Sequence, residues 1–225
     1  MSYPRSGNHL TRFIVEYITG RPTLGCASNP RDVPIHQNKF ANAPYVLAHV
    51  KGQPIGHKCH SEFEVRQRIK QSGCNRMLLM KRNPVEAILA HNRVPKPASL
   101  KADYVKTLSK DIGWYYGLER VFQRAEMPKH HVIYERLISS KPADYLPEIE
   151  KIAEICSTAV QSNRLAELCE DFDQLRNISA QGEGRAWAGY RSKGQSTFHQ
   201  ANVHPLTLAW FKFRLWSKTP SNALQ

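Results

Sequence analysis

The sequence predicts an α/β protein with a central, mostly parallel sheet covered by helices on both faces. Two observations predict it: short apolar runs bounded by Gly and Pro alternate with longer segments of helical period, and no internal repeat or low-complexity segment interrupts that alternation. Leu10, Phe13, Ile14, Tyr17 and Ile18 recur at helical spacing until Gly20-Arg21-Pro22 stops them, so Ser6–Gly20 is the first predicted helix. Only Ser2 and Tyr3 remain for a strand ahead of it, which is therefore unusually short or continues into residues ahead of Met1. From Pro22 to Pro44 the chain is rich in Pro, Asn and Gly and reads as a long connection.

Tyr45–Val50, between Pro44 and Gly52, reads as a buried strand leading to His57–His60, and Ser61–Gln71 as a helix. Met77–Met80 is predicted as a second strand, and Pro84–Asn92 as a helix with proline in its first turn, ended before Pro95 and Pro97. A long helix over Lys101–Ala125, a third strand over His131–Tyr134, helices at Asp144–Ser157 and Asn163–Asp171, and a helical stripe at Leu206–Trp216 complete the prediction.

A chain of 225 residues, 41% apolar and 23% charged, has the length and balance of one globular domain over residues 1–225. No apolar run approaches the roughly 18 residues that span a bilayer. Ser2-Tyr3-Pro4-Arg5 follows Met1 at once, without the apolar core of a secretory signal, so the expectation is a cytoplasmic protein. Five cysteines, irregularly spaced and without a Cys-x-x-Cys pair, are expected to be reduced thiols rather than a zinc site. The net charge of +13 points to an anionic partner: nucleic acid, acidic glycan or a polyphosphorylated cofactor.

Five segments carry candidate chemistry. Tyr3-Pro4-Arg5-Ser6-Gly7-Asn8-His9 stands where a strand gives way to a helix, a turn whose N–H groups suit a phosphate, although a plain helix cap reads the same way. Lys81-Arg82-Asn83-Pro84 follows an apolar strand and delivers Arg82 to the strand end, where it serves either a phosphate or a surface salt bridge. Gly56-His57-Lys58-Cys59-His60 offers an imidazole that titrates near neutral pH beside a cation. A metal reading of His57, Cys59 and His60 is weakened by strand alternation, which turns His60 away from the other two. Tyr134, in His131–Leu137, is a half-buried strand tyrosine or a ligand contact, and Arg185 to Gly194 forms a Gly- and Arg-rich loop.

Taken in order from Tyr3 to Gly194, these segments resemble the PAPS-dependent sulfotransferases, which use 3′-phosphoadenosine 5′-phosphosulfate. Tyr3–Gly20 is similar to that family's 5′-phosphosulfate loop, Tyr-Pro-Lys/Arg-Ser-Gly-Thr-Thr-Trp, with Asn8 and His9 at the two threonines and Leu10 at the tryptophan that stacks on adenine in many members. The resemblance implies that Arg5, Ser6, Gly7, Asn8 and His9 hold the 5′-phosphosulfate and that Arg82 holds the 3′-phosphate. Ala90 stands at the family's serine, with His91 and Asn92 as possible replacements. It implies His60 as general base, Lys58 and Arg5 as catalytic cations and Tyr134 at the adenine. Arg191, Lys193 and Gly194 would close on the 3′-phosphate, with Ser192 inserted in the family's Arg-Lys-Gly.

The implied fold is the P-loop-like three-layer α/β/α sulfotransferase fold, and the implied reaction moves a sulfuryl group from PAPS to a hydroxyl or amine, leaving PAP. The acceptor is a small molecule or a glycan, with the 21–44 and 96–104 segments as lids. Three rival readings stand beside it. A basic nucleic-acid-binding module is motivated by Trp187, Tyr190, Trp210 and Trp216 near basic residues, but no nucleic-acid-binding signature accompanies them. A P-loop-like nucleotide kinase lacks its Gly-Lys-Ser/Thr. A PAPS-binding protein of reduced activity would follow from Leu10 and Ala90. No metal and no membrane span are expected.

Overall fold

The computed structural model describes residues 1–4, 6–25, 46–92, 102–180 and 205–218. Within these the protein is mixed α/β. Strand β1 (Thr23–Leu24) pairs in parallel with β2 (Gly56–His57), and β3 (Met77–Lys81) pairs in parallel with β4 (Lys129–Ile133). Between the two pairs runs Met1–Tyr3. Ser2 bridges Met80 in parallel, the Met80 N–H donates to the Met1 carbonyl at 3.0 Å, and the Ser2 N–H donates to the Cys59 carbonyl at 3.0 Å. The single predicted sheet is thus observed as two short parallel pairs, because the segment between them contributes one bridge rather than a ladder.

The helices are α1 (Asn8–Thr19), α2 (Glu62–Ser72), α3 (Pro84–Asn92), α4 (Ala102–Arg124), α5 (Tyr134–Leu137), α6 (Pro142–Cys156), α7 (Ser162–Glu170), α8 (Phe172–Ala180) and α9 (Pro205–Trp216). Strand β3 explains how they are sorted. Its side chains alternate between faces, so Met77 and Leu79 pack with Val85, Ile88, Leu108, Phe122 and Phe211 of α3, α4 and α9. Met80 packs with Ile14, Ile18, Tyr145, Ile149 and Phe172 of α1, α6 and α8 on the other face. Each fully buried side chain of this kind stabilises the fold by roughly 1.5–3 kcal/mol, so both helical layers are held by the same strand pair.

Four sequence expectations need correction. The described part of Tyr45–Val50 holds no strand: residues 46–49 form a turn, closed by the Val50 N–H on the Leu47 carbonyl at 2.9 Å. Its apolar character comes from Leu47 and Val50 being buried against α1, and burial alone does not distinguish a turn from a strand. A strand also lies inside the predicted connection, at Thr23–Leu24. Arg12 Nε donates to Thr23 Oγ1 at 2.9 Å, Arg12 Nη2 donates to the Thr23 carbonyl at 2.9 Å, and the Thr23 N–H donates to Glu16 Oε1 at 2.8 Å. Finally, Tyr134 does not end β4 but opens α5, and α8 follows α7 directly where no helix was predicted. No helix among the described residues is long and apolar enough to cross a membrane.

Candidate functional site

The turn from Met1–Tyr3 into α1 depends on Gly7. It caps the helix with φ of 85°, in the left-handed region, and its carbonyl accepts from the Thr11 N–H at 3.2 Å. A Cβ at this position would overlap the ring of Tyr134, so the glycine lets the backbone lie directly against the tyrosine that opens α5. Gly7→Ala is expected to destabilise the fold by about 2–4 kcal/mol, from the left-handed backbone and the overlap together. Urea denaturation measures it, and a loss below about 1 kcal/mol would show that the ring and the loop are not closely apposed.

Arg82, the residue after β3, reaches the same place: its guanidinium lies 5.0 Å from the centroid of the Tyr134 ring. The backbone around it is fixed from two sides. Tyr115 Oη donates to the Arg82 carbonyl at 2.6 Å, and the Asn83 N–H donates to Glu135 Oε1 at 2.8 Å, tying the end of β3 to that of β4. Asn83 Oδ1 accepts from the Val85 and Glu86 N–H groups at 2.9 and 3.4 Å, which caps α3 ahead of Pro84.

His60 is brought in through Ser2. Its Nδ1 lies 2.7 Å from the Ser2 carbonyl. A carbonyl only accepts, so Nδ1 carries the hydrogen and Nε2 is left as the basic nitrogen. The same Ser2 accepts a hydrogen bond on its hydroxyl from Asn8 Nδ2 at 2.8 Å, so one buried serine links the imidazole to the first residue of α1. The backbone of His60 is clamped at both ends: its N–H donates to Glu64 Oε2 at 2.7 Å, and its carbonyl accepts from Trp114 Nε1 at 2.6 Å. Glu64 is able to do this because Ser61–Glu64 forms a capping box at the start of α2.

Burial first, and then the charge of Lys58, hold the His60 imidazole down to about 4, so it is neutral at working pH. The sign of the linkage follows. Above pH 6.5 the ring is neutral in both the folded and the unfolded chain. As pH falls from there toward about 4 the unfolded chain takes up a proton that the folded one refuses, and up to about 3 kcal/mol of stability is lost. Comparing wild type with His60→Gln in urea between pH 7 and pH 4.5 checks this: the wild type should lose more stability on acidification, and equal losses would contradict it.

Among the predicted site residues the described structure therefore joins Gly7, Tyr134 and Arg82 by direct contact, and His60 and Asn8 through Ser2. Lys58 lies near enough to depress His60. Ser6 is fully buried, and its Oγ has no hydrogen-bond partner among the described residues. His9 lies in the first turn of α1, and Leu10 packs against the α1 and α6 core. Ala90 is part of the α3 core, and Asn92 is taken up by the Ile88 carbonyl at 2.9 Å and Asp111 Oδ2 at 2.6 Å, which leaves it bound within the α3 and α4 layer rather than at Arg82. The His91 ring stacks edge-on with Tyr3 and Trp114. Arg5, Arg191, Lys193 and Gly194 lie outside the described residues, as do Trp187 and Tyr190.

Glu64 and Trp114, like Ser2, were not singled out as site residues from sequence. Ser61-Glu62-Phe63-Glu64 has the spacing of a capping box and could have signalled the first. Trp114 lies 54 positions from His60 and carries no local signal. No protein-family model matches this chain, and no curated protein matches it.

Proposed function

We propose that this protein is a sulfotransferase that moves a sulfuryl group from PAPS to a hydroxyl or amine acceptor. The observation that carries the reading is the convergence on one short segment: the Met1–Tyr3 strand holds the His60 imidazole in the tautomer with basic Nε2 and leads into the Gly7 turn, against which Tyr134 and Arg82 are gathered. A proton acceptor and a cation over an aromatic ring at one end of β3 and β4 are what transfer from a nucleotide-borne donor needs.

The residues present fit such a nucleotide. Gly7 turns the chain into α1 with the Tyr134 ring held against its backbone, and the buried Ser6 Oγ lacks a partner among the described residues, as a hydroxyl reserved for a phosphate oxygen would. When bound, PAPS supplies a sulfuryl group whose bond to the phosphate oxygen breaks as a bond from sulfur to the acceptor oxygen or nitrogen forms. His60 Nε2 takes the acceptor proton. Lys58 and Arg5 place positive charge near the leaving oxygen, Ser6, Gly7, Asn8 and His9 bind the 5′ end, and Arg82 binds the 3′-phosphate with Arg191, Lys193 and Gly194 closing over it. Tyr134 offers its ring to the nucleotide.

The same reading extends the two observed strand pairs into a P-loop-like three-layer α/β/α fold, in the order β1, β2, Met1–Tyr3, β3, β4. It also places the protein in the cytoplasm, where Cys59, Cys74, Cys156 and Cys169 remain the free thiols they are in the fold. The test is incubation with PAPS and a panel of phenols, amines and sugars, measuring PAP. Acceptor-dependent PAP release is the expected result, and no release with any acceptor under conditions where PAPS is bound would overturn the catalytic reading.

A further inference from the structure

Helix α9 is apolar on two faces. Thr207, Phe211 and Leu215 recur every four residues and are buried, and Phe211 and Leu215 belong to the core shared with α3 and α4. Tyr116 Oη of α4 donates to the Leu215 carbonyl at 3.3 Å, which fixes the rotation of the helix. On the opposite face Leu206, Phe213 and Trp216 are 66%, 60% and 67% exposed, and the Phe213 and Trp216 rings lie 6.2 Å apart. With the exposed Ala209 they follow at intervals of three, four and three residues, which makes one stripe along the helix. Of the five large hydrophobic side chains exposed among the described residues, three fall on this stripe, so it is a patch rather than scatter.

Charge decides what suits this patch. Lys212 and Arg214 stand about 100° to either side of Phe213 around the helix, both exposed, and the exposed Lys218 follows them. No Asp or Glu occurs in the sequence after Glu183, so the helix carries cations alone. The stripe is about 15 Å long and about 10 Å wide, far below the roughly 800 Å² per partner of a stable protein interface, and a second copy would bring the same cations against it. A nucleic acid could stack on the two rings but gains nothing from the aliphatic Leu206, whereas acyl chains bury all three. An apolar stripe with cations on both flanks matches the boundary between anionic headgroups and acyl chains. At 12 residues, about 18 Å, α9 lies on such a surface and does not cross its core of about 30 Å.

We propose that the outer face of α9 docks the protein on an anionic phospholipid surface. Leu206, Phe213 and Trp216 enter the boundary between headgroups and acyl chains, and Lys212, Arg214 and Lys218 meet the anionic headgroups around them. The inference stands apart from the sulfotransferase reading and is tested without PAPS or PAP.

The probe is a sedimentable vesicle of phosphatidylcholine, alone or with about one third phosphatidylserine, titrated into the full chain. Binding to the mixed vesicles is expected to be about tenfold or more tighter than to phosphatidylcholine alone. The double variant Phe213→Ser, Trp216→Ser should weaken it about tenfold or more with its urea midpoint unchanged, because both side chains are exposed. Lys212→Glu should weaken it by about tenfold, since it reverses one flanking charge. The net charge of +13 can by itself attract anionic vesicles, so equal binding of the double serine variant would overturn the proposal. In the unmodified chain, vesicles with brominated acyl chains should quench the tryptophan fluorescence. Absence of quenching in the bound protein would overturn the proposal even if the double variant does not fold. No binding to the mixed vesicles, with either a dimer or oligonucleotide binding that is lost in the double variant, would overturn it in favour of that other partner.

Discussion

On the proposed function, replacing His60 by alanine is expected to lower turnover by about two to four decades and to leave the affinity for PAP nearly unchanged, the range for loss of a positioned general base. The expectation rests on a division of labour within one residue. The ring is held by Nδ1 on the Ser2 carbonyl, which leaves Nε2 for the acceptor proton, whereas the clamps from Glu64 and Trp114 act on the His60 backbone. Alanine keeps both clamps and the capping box of α2, so the variant loses the base without losing the turn that carries it. Turnover and PAP affinity measured on the same preparation separate the two roles. Near-normal turnover in His60→Ala would remove the residue from the mechanism.

Arg82→Ala is expected to weaken PAP binding by about 30- to 100-fold, the equivalent of roughly 2–3 kcal/mol for a charge-assisted pair with a phosphate. The guanidinium rests on the Tyr134 ring, and the backbone bonds of Tyr115 and Asn83 survive the substitution. Arg82→Lys should recover part of the affinity, because lysine restores the charge but not the two parallel donors. Calorimetry on the three proteins checks the order, and an unchanged Kd in Arg82→Ala would refute the phosphate role.

How much of this was legible beforehand depends on whether the signal is local. Leu10 to Ile18 repeat at 3.6 residues, and Met77–Met80 form a tight apolar run between turn residues, so α1 and β3 were readable within two residues of their observed bounds. The 46–49 turn misled because Leu47 and Val50 are apolar for packing beneath α1 rather than for pairing. Strand β1 was invisible because Thr23 owes its place to Arg12 and Glu16, side chains one helix away. At the site, the residues in motifs were legible and their partners were not. Arg82, Tyr134 and Gly7 could each be named from sequence, but the contact of Gly7 with Tyr134 joins residues more than a hundred positions apart. The role of Ser2, a residue with no distinguishing chemistry, comes entirely from where the strand puts its carbonyl, its hydroxyl and its N–H.

Calorimetric titration of the purified protein with PAP, with ATP and a short single-stranded oligonucleotide as comparisons, tests the central claim most directly. Saturable binding of PAP, much tighter than ATP and tighter than the oligonucleotide at physiological salt, is the predicted result. Absence of PAP binding together with salt-sensitive oligonucleotide binding would contradict it, and would assign the +13 charge to a nucleic-acid surface instead.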